Sequence, residues 1–394
     1  MRLDAIDWKQ VATCWAQSHR TQATIARYLY WARRYVGACL GRGADLAESL
    51  TEAPVKRFFA AQVKAGDTSP PAAVRALAYA LVGMGHALPA WRPSPPKQPF
   101  APLVREFVAY RLSHRGVAVK SAHFDAELAS AFLRSLNRRH RAVAHIRLTD
   151  VDAFVEERGR RWAPISVAAG CSTLRAFLAF LFAKGRCRTD LAGLVISPRV
   201  RRLNRPPRAL PWADVQRILR AIDVRKGLGP RDFAIFLMMA TYGMGAGEIT
   251  GLALDDIDWS ARTIRIRRPK TGVVTQLPLL DPIGRALARY LRHHRPAGAR
   301  DRTVFVNHRL PHARLTGSSA LKHRLVMYAD RAGVHATFLG THVFRHTHAT
   351  RQIEAGMSAK IVGDILGHRR PESTSAYVRG ALLRLRLVGL PVPR

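Results

Sequence analysis

The stretch that decides the fold is residues 341–377, which read THVFRHTHATRQIEAGMSAKIVGDILGHRRPESTSAY. Three features follow one another in this stretch: the HxxR pair of His342 and Arg345, the LGH that ends at His368, and Tyr377. Residues three positions apart share one face of a helix, so His342 and Arg345 are expected to lie side by side.

The same stretch contains the signals that begin and end its helices. Gly356 suits the left-handed residue that follows a helix, and Ser358 suits the cap of the next one. Gly367 is expected to end that second helix, and Pro371 to begin the short helix that carries Tyr377. Two short connections would then bring the basic pair, the histidine and the tyrosine together.

These side chains suit attack on a phosphodiester. An arginine fork binds a phosphate through two hydrogen bonds. A histidine donates to a phosphate oxygen or transfers a proton near neutral pH. A tyrosine is a covalent nucleophile where its proton can leave.

HxxR, LGH and the tyrosine, in this order, resemble the C-terminal signature of the tyrosine recombinases, also called the phage integrase family. The resemblance extends back to about Arg208, and it covers the N-terminal half only as a general helical pattern. It implies site-specific DNA recombination or integration for a bacterial mobile element. It also implies a cytoplasmic, nucleoid-associated protein.

The resemblance gives each residue a role. Tyr377 attacks the scissile phosphate and forms a 3′-phosphotyrosyl link, while Arg345, His342 and His368 hold the phosphate and its developing charge. Lys270, in the turn between two predicted strands, protonates the 5′ leaving oxygen; a lone lysine in a turn is otherwise usually solvated. A reversal by the second strand's 5′ hydroxyl consumes no ATP, and no cofactor or metal is expected.

One member of the family pattern is missing. The family has an arginine three residues before a glutamate; here Glu248 matches the glutamate and Gly243 a glycine, but Gly245 stands at the arginine position. A lost phosphate ligand costs several kcal/mol of transition-state stabilisation. The chain is therefore read as an impaired recombinase, or alternatively as a non-catalytic DNA-binding partner of an active recombinase. A type IB topoisomerase is a third reading, and the sequence does not separate a natural loss from an engineered change.

Two other readings of these residues are weaker. His342 and His346 have the spacing of a zinc-binding helix, but the glutamate of HExxH is absent, so no metal site is expected. The glycines of 243–247 resemble a nucleotide-binding loop, but no strand precedes them and no Lys-Ser or Lys-Thr follows.

Composition points to a polyanion as the partner. The 394 residues include 64 Lys and Arg against 27 Asp and Glu, which gives a net charge of +37. Such a field favours double-stranded DNA through counterion release, although a generally basic protein would share it. Hydrophobic residues make up 48%, which excludes a disordered chain.

The cysteines and the apolar runs indicate an intracellular protein. None of the four cysteines forms a CxxC, so they are expected to be reduced core residues; they are Cys14, Cys39, Cys171 and Cys187. The longest apolar run, 233–240, is too short to span a bilayer, and the N-terminus is no signal peptide. We expect a soluble protein without membrane association.

The fold class expected is an all-α N-terminal half of two SAM-like four-helix units, followed by a mixed α+β tyrosine recombinase catalytic domain. The N-terminal helices are expected at 7–19, 22–40, 51–63 and 71–86, and again at 102–114, 120–138, 149–159 and 164–184. Thr51 and Thr149 are taken as matching helix caps, which favours a duplication; chance similarity of two small helical domains is the alternative.

The domain boundaries follow from composition. We expect a helical DNA-binding unit at 1–90, a Pro-rich linker at 91–102, a core-binding domain at 103–195, a basic linker at 196–211, the catalytic domain at 212–380 and a tail at 381–394. The basic linker should lie against the DNA backbone through Arg199, Arg201, Arg202 and Arg205.

The catalytic domain and the tail complete the expectations. Strands are predicted at 262–268, 273–280 and 303–306. The apolar tail, 381–394, is expected to pack on a neighbouring protomer, or else on its own domain. The assembly expected is a homo-oligomer, a dimer on a site and a tetramer in synapsis, or a hetero-assembly with related recombinases.

Overall fold

The structure is a computed structural model that describes residues 6–60, 69–89, 91, 101–199, 208–269, 272–316, 318–368, 374–375 and 377–378. The predictions for Lys270, Arg201, Arg202, Arg205, Pro371 and the tail fall outside the described residues, as does most of the Pro-rich linker. Arg199 is described, and its side chain is exposed.

The described residues form sixteen α-helices and one three-stranded sheet. The first helices are α1 (Trp8–Gln17), α2 (Gln22–Leu40), α3 (Leu46–Ser49), α4 (Glu52–Ala60) and α5 (Ser69–Gly83). They are followed by α6 (Ala101–Ser113), α7 (Val119–Arg138), α8 (Leu148–Gly159) and α9 (Pro164–Ala183). The remaining elements are α10 (Trp212–Arg220), α11 (Gly229–Tyr242), α12 (Ala246–Gly251), β1 (Ile257–Asp258), β2 (Thr263–Arg267), β3 (Val274–Pro278), α13 (Asp281–His293), α14 (Ser318–Arg331), α15 (His342–Glu354) and α16 (Ala359–Leu366).

The expected all-α N-terminal half followed by a mixed segment is confirmed. The chain divides into two compact units, one of Met1–Ser94 with Pro206–Arg394 and the other of Pro95–Arg205. Thr51 directly precedes α4 as predicted, although its hydroxyl donates to the Glu48 carbonyl. The matching cap at Thr149 is wrong, because Thr149 lies inside α8, whose N-cap is Arg147. Those two residues therefore no longer favour a duplication.

The second unit is built on α9. This helix is long and apolar enough to cross a membrane by length and composition, but half of that window is buried inside the protein. Phe177 and Leu181 lie in the core with Phe132 and Phe154 of the neighbouring helices. The apolar character of α9 thus corresponds to a core helix in this unit.

The C-terminal segment, residues 208–368, surrounds α11, which packs against α13 and α15. Its sheet is antiparallel in the order β1-β2-β3, and β2 directs Ile264 and Ile266 into the core while Arg265 and Arg267 face outward. The predicted strand at 303–306 is wrong: Thr303 and Val306 form only isolated bridges. The sequence reading also missed α12.

A buried carboxylate ties α11 to α14. Asp232 accepts hydrogen bonds from Arg231 at 2.8 Å, from Arg324 at 2.6 Å and from Tyr328 at 3.0 Å. A buried charge is tolerated only with partners of this kind. Loss of the carboxylate would leave two guanidinium groups without compensation, so this network stabilises the packing of α11 against α14.

The start of the catalytic segment is fastened to α15. The Thr347 hydroxyl accepts from the Leu210 amide at 2.8 Å and donates to the Leu210 carbonyl at 3.2 Å. One turn later, the Arg351 guanidinium lies 4.0 Å from the ring centre of Trp212, a cation–π contact. These contacts hold α15, and with it HxxR, in a fixed orientation.

Candidate active site

Two glycines shape the loop between α11 and α12. Gly243 ends α11 with φ +63°, and a Cβ there would lie 2.6 Å from Leu366 and 2.8 Å from His348. Only glycine allows both that backbone and that approach. Gly245 is extended, with φ −82° and ψ 160°, a conformation open to any side chain.

Glu248 occupies the first turn of α12 and points back to the loop. Its Oε2 accepts from the Gly245 amide at 2.8 Å. Its carboxylate also accepts from the guanidinium groups of Arg345 and Arg268, so one carboxylate lies between two cations.

Arg345 reaches three elements from α15. Its Nη1 donates to the Gly243 carbonyl and to Glu248 Oε1, each at 3.2 Å, and its Nη2 donates to the Leu366 carbonyl at 2.5 Å. His342 is the first residue of α15 and lies exposed one turn before Arg345, so the predicted shared helix face is present.

The signals around α16 behave as expected. Ser358 caps the helix by accepting from the Ile361 amide, and Gly367 ends it with φ +66°. His368 follows, and its Nδ1 lies 2.8 Å from Thr374 Oγ1. A Cβ on Gly363 would lie 2.9 Å from Thr374 Oγ1, so this glycine makes room for the segment that carries Tyr377.

Tyr377 is packed against its own chain. It is 5% exposed and shares a small core with Ile353, Val362 and Leu366. Its ring centre lies 5.4 Å from that of His346 and 6.2 Å from that of His368, nearly parallel to the latter. Burial raises the pKa of its hydroxyl, and the hydrogen-bonded Arg345 guanidinium opposes that rise.

Three partly or fully buried histidines near Tyr377 and Arg345 have lowered pKa values. Burial first, and then nearby cations, lower the pKa of His346, His348 and His368 to about 4 each. The positive charge beside Glu248 comes from Arg268 and Arg345. Within the described part of the chain, no group of three or more His, Cys, Asp or Glu is placed to hold a metal ion.

The structure brings Arg345, His368 and Tyr377 together around the end of α16. Gly245 lies beside them, at the loop that bonds Glu248. Arg268 was missed by the sequence reading, yet its guanidinium is buried in the same cluster. The sequence did contain a signal for this burial. Side chains of a strand alternate between its two faces, and position 268 falls on the buried face with Ile264 and Ile266.

Comparison with known proteins gives a family match. A model described as "Phage integrase family" matches residues 208–382. A Sinorhizobium fredii (strain NBRC 101917 / NGR234) protein named "Putative integrase/recombinase y4gC" is 41% identical over 166 residues, which are 42% of this chain and 84% of that protein. The chain belongs to the phage integrase family.

Other relatives extend the match beyond the catalytic segment. The integrase/recombinase y4rA of the same strain is 33% identical over 75% of this chain, and the chain spans 65% of that relative's length. The XerH site-specific recombinase, solved bound to its difH substrate, is 14% identical with a TM-score of 0.56, covering 87% of this chain and 94% of that one. At 14% identity, the similarity to XerH supports the fold alone.

The buried histidines of this integrase predict loss of stability in acid. Between the ordinary pKa of 6.5 and the folded value of about 4, the unfolded chain binds more protons than the folded chain. The contribution of these histidines is therefore fully present above about pH 6.5 and is lost as the pH drops, by at most about 1.4 kcal/mol per pH unit for His348, the most buried of them. The measurement is the thermal midpoint at pH 7.5 and at pH 5.

His348→Asn is the matched variant for this test. Asparagine retains a donor for the Ala240 backbone, with which His348 is hydrogen-bonded, and it does not titrate. The acid-induced drop in midpoint should be smaller in the variant. A drop equal to that of the parent would show that His348 contributes nothing to acid lability.

Proposed function

We propose that the chain is a site-specific DNA recombinase that cuts and rejoins DNA through a covalent bond to Tyr377. The proposal rests on the convergence of Arg345, His368 and Tyr377 at the C-terminal end of α16. Arg345 donates to the Leu366 carbonyl, His368 is hydrogen-bonded to Thr374, and the ring of Tyr377 stacks on that of His368. These groups can bind a phosphate, hold a proton and attack phosphorus.

The proposed reaction is a reversible phosphoryl transfer. The Tyr377 oxygen attacks phosphorus, the bond from phosphorus to the 5′ oxygen breaks, and a 3′-phosphotyrosyl link forms. Neutral His368 can accept the phenol proton, and Lys270 supplies a proton to the leaving oxygen. A 5′ hydroxyl of the partner strand then attacks the link and releases the tyrosine, so no ATP is consumed.

Arg345 and His342 are assigned to the phosphate. Arg345 presents its guanidinium at the start of the loop and at the end of α16, where its charge also favours the ionised form of Tyr377. His342, exposed one turn earlier on the same helix, is positioned to donate to a phosphate oxygen.

Double-stranded DNA is the proposed partner. The net charge of +37 supports this, and the XerH site-specific recombinase was solved bound to difH substrate. We assign the backbone contacts to the linker at 196–211, of which Arg199 is exposed. Because two duplexes must exchange strands, a dimer on each site and a tetramer in synapsis are proposed, or a hetero-assembly with related recombinases.

The domain roles also remain proposals. Residues 1–90 and the core-binding domain at 103–195 would contact DNA, and 212–380 would carry the chemistry. The second candidate function, a non-catalytic DNA-binding partner subunit, is favoured by one observation: Gly245 provides no guanidinium at the family's arginine position.

Substitution of the tyrosine tests the proposed function. On a nicked suicide substrate bearing the cognate site, the parent chain should form a covalent protein–DNA adduct. Tyr377→Phe should form none, while its affinity for the same DNA stays unchanged because no phosphate ligand is removed. An adduct of equal yield in the variant would exclude Tyr377 as the nucleophile.

Restoring the arginine tests the impairment. The extended backbone at Gly245 accepts any residue, and a Cβ there would lie at ordinary contact distance, 3.8 Å, from the Glu248 carboxyl group. Gly245→Arg should raise the rate of adduct formation by about 100-fold or more, because the lost ligand acts mainly on the transition state.

The matched control for this substitution is Gly247→Arg. It adds the same charge to the same helix at an exposed position with open space around it. No comparable gain is expected there. Fast cleavage by the parent with no gain from Gly245→Arg would show that another group fills the arginine's role, and absence of adducts in both forms would favour the non-catalytic subunit.

A further inference from the structure

Arg268 is buried where arginine is rarely placed without a reason. It follows β2 directly and its side chain is 2% exposed, whereas those of Arg265 and Arg267 are 47% and 60% exposed. Burial of a guanidinium is costly unless it is paired and hydrogen-bonded. The partners of Arg268 therefore indicate what it is retained for.

Both partners of Arg268 belong to the active site. Its Nη1 donates to Glu248 Oε2, and its Nη2 donates to the Ile365 carbonyl at 2.5 Å. Arg345 makes the same pair of contacts one residue later, with Glu248 and the Leu366 carbonyl. Two guanidinium groups thus share one carboxylate and bind successive carbonyls at the C-terminal end of α16, where positive charge is favourable.

Gly367, the glycine of LGH, leaves the space that the Arg268 side chain occupies. A Cβ on Gly367 would lie 2.9 Å from Arg268 Cγ and 3.2 Å from its Nε. The side chain of Arg268 therefore rests on the backbone that leads directly into His368. Its charge acts on that histidine together with the charge of Arg345.

We propose that Arg268 is a positioning residue for strand cleavage, which holds Glu248 and the end of α16 so that Arg345 and His368 keep their places while position 245 has no side chain. The inference rests on the proposed function, because it assigns Arg268 a part in the same reaction. Glu248 is anchored on its two sides by Arg268 and Arg345. Without Arg268, one side of the carboxylate and the Ile365 carbonyl lose their buried donors.

The test compares Arg268→Met with the parent in single-turnover adduct formation on the suicide substrate. The rate should fall by about 100-fold while the DNA dissociation constant changes by less than about threefold, because the loss falls on the arrangement of transition-state ligands. Arg268→Lys should recover only part of the rate, since a single ammonium replaces a fork with two fixed directions.

The pH dependence of the cleavage rate distinguishes a positioning role of Arg268 from a general loss of stability. Loss of the nearby positive charge should raise the pKa of His368, so the acid limb of the cleavage profile should move towards neutral pH. The matched control is Arg231→Met, which removes an equally buried arginine bonded to one carboxylate and one carbonyl far along the chain. That variant should lose stability but keep its pH profile and its rate per folded molecule.

The same measurements in the Gly245→Arg background distinguish the two claims. A loss of less than about tenfold on Arg268→Met, in every background that yields adducts, would overturn the role of Arg268 and leave the proposed function intact. Absence of Tyr377-dependent adducts in both backgrounds would overturn the proposed function, and the role of Arg268 with it. A tenfold or larger loss in either background, with the shifted acid limb, supports the inference.

Discussion

The arrangement of the site depends on one carboxylate, that of Glu248. It accepts hydrogen bonds from the Gly245 amide, from Arg268 and from Arg345, and so joins α12, the end of β2 and α15. The two arginines then bind the carbonyls at the end of α16. Because two guanidinium groups this close would repel each other, the shared carboxylate is what allows Arg268 to be buried beside the partly buried Arg345.

Glycines provide the space in which these groups meet. Three glycines each have a neighbour closer than a Cβ would permit. Gly243 is approached by a leucine and a histidine, Gly363 by a threonine, and Gly367 by Arg268. The position of His368 therefore follows from the packing of α16. A methyl group at any of the three would displace a functional side chain or the element behind it.

Much of the site was readable from local signals. The caps at Ser358 and Gly367, and the helix that joins His342 to Arg345, depend only on neighbours in sequence, and all are present. The resemblance to tyrosine recombinases identified the family correctly because three motifs occur in fixed order. Helices of the N-terminal half were also predicted from a local signal, the periodicity of their hydrophobic residues.

What the sequence did not predict depends on contacts between distant residues. The segment 303–306 has strand composition, but it pairs only at two isolated positions. Helix α12 is short and rich in glycine, and its first turn is held by Glu248 rather than by propensity. Burial of Arg268 was visible as strand phase, but its partners Glu248 and Ile365 lie 20 and 97 residues away.

The most direct test of this account is the cleavage rate of Glu248→Gln, measured in single turnover beside its affinity for the same DNA. Glutamine keeps the size of the side chain and removes the charge shared by Arg268 and Arg345. The account predicts a fall in rate of about 100-fold with no loss of DNA affinity. A rate within about twofold of the parent would show that the carboxylate does not organise the site.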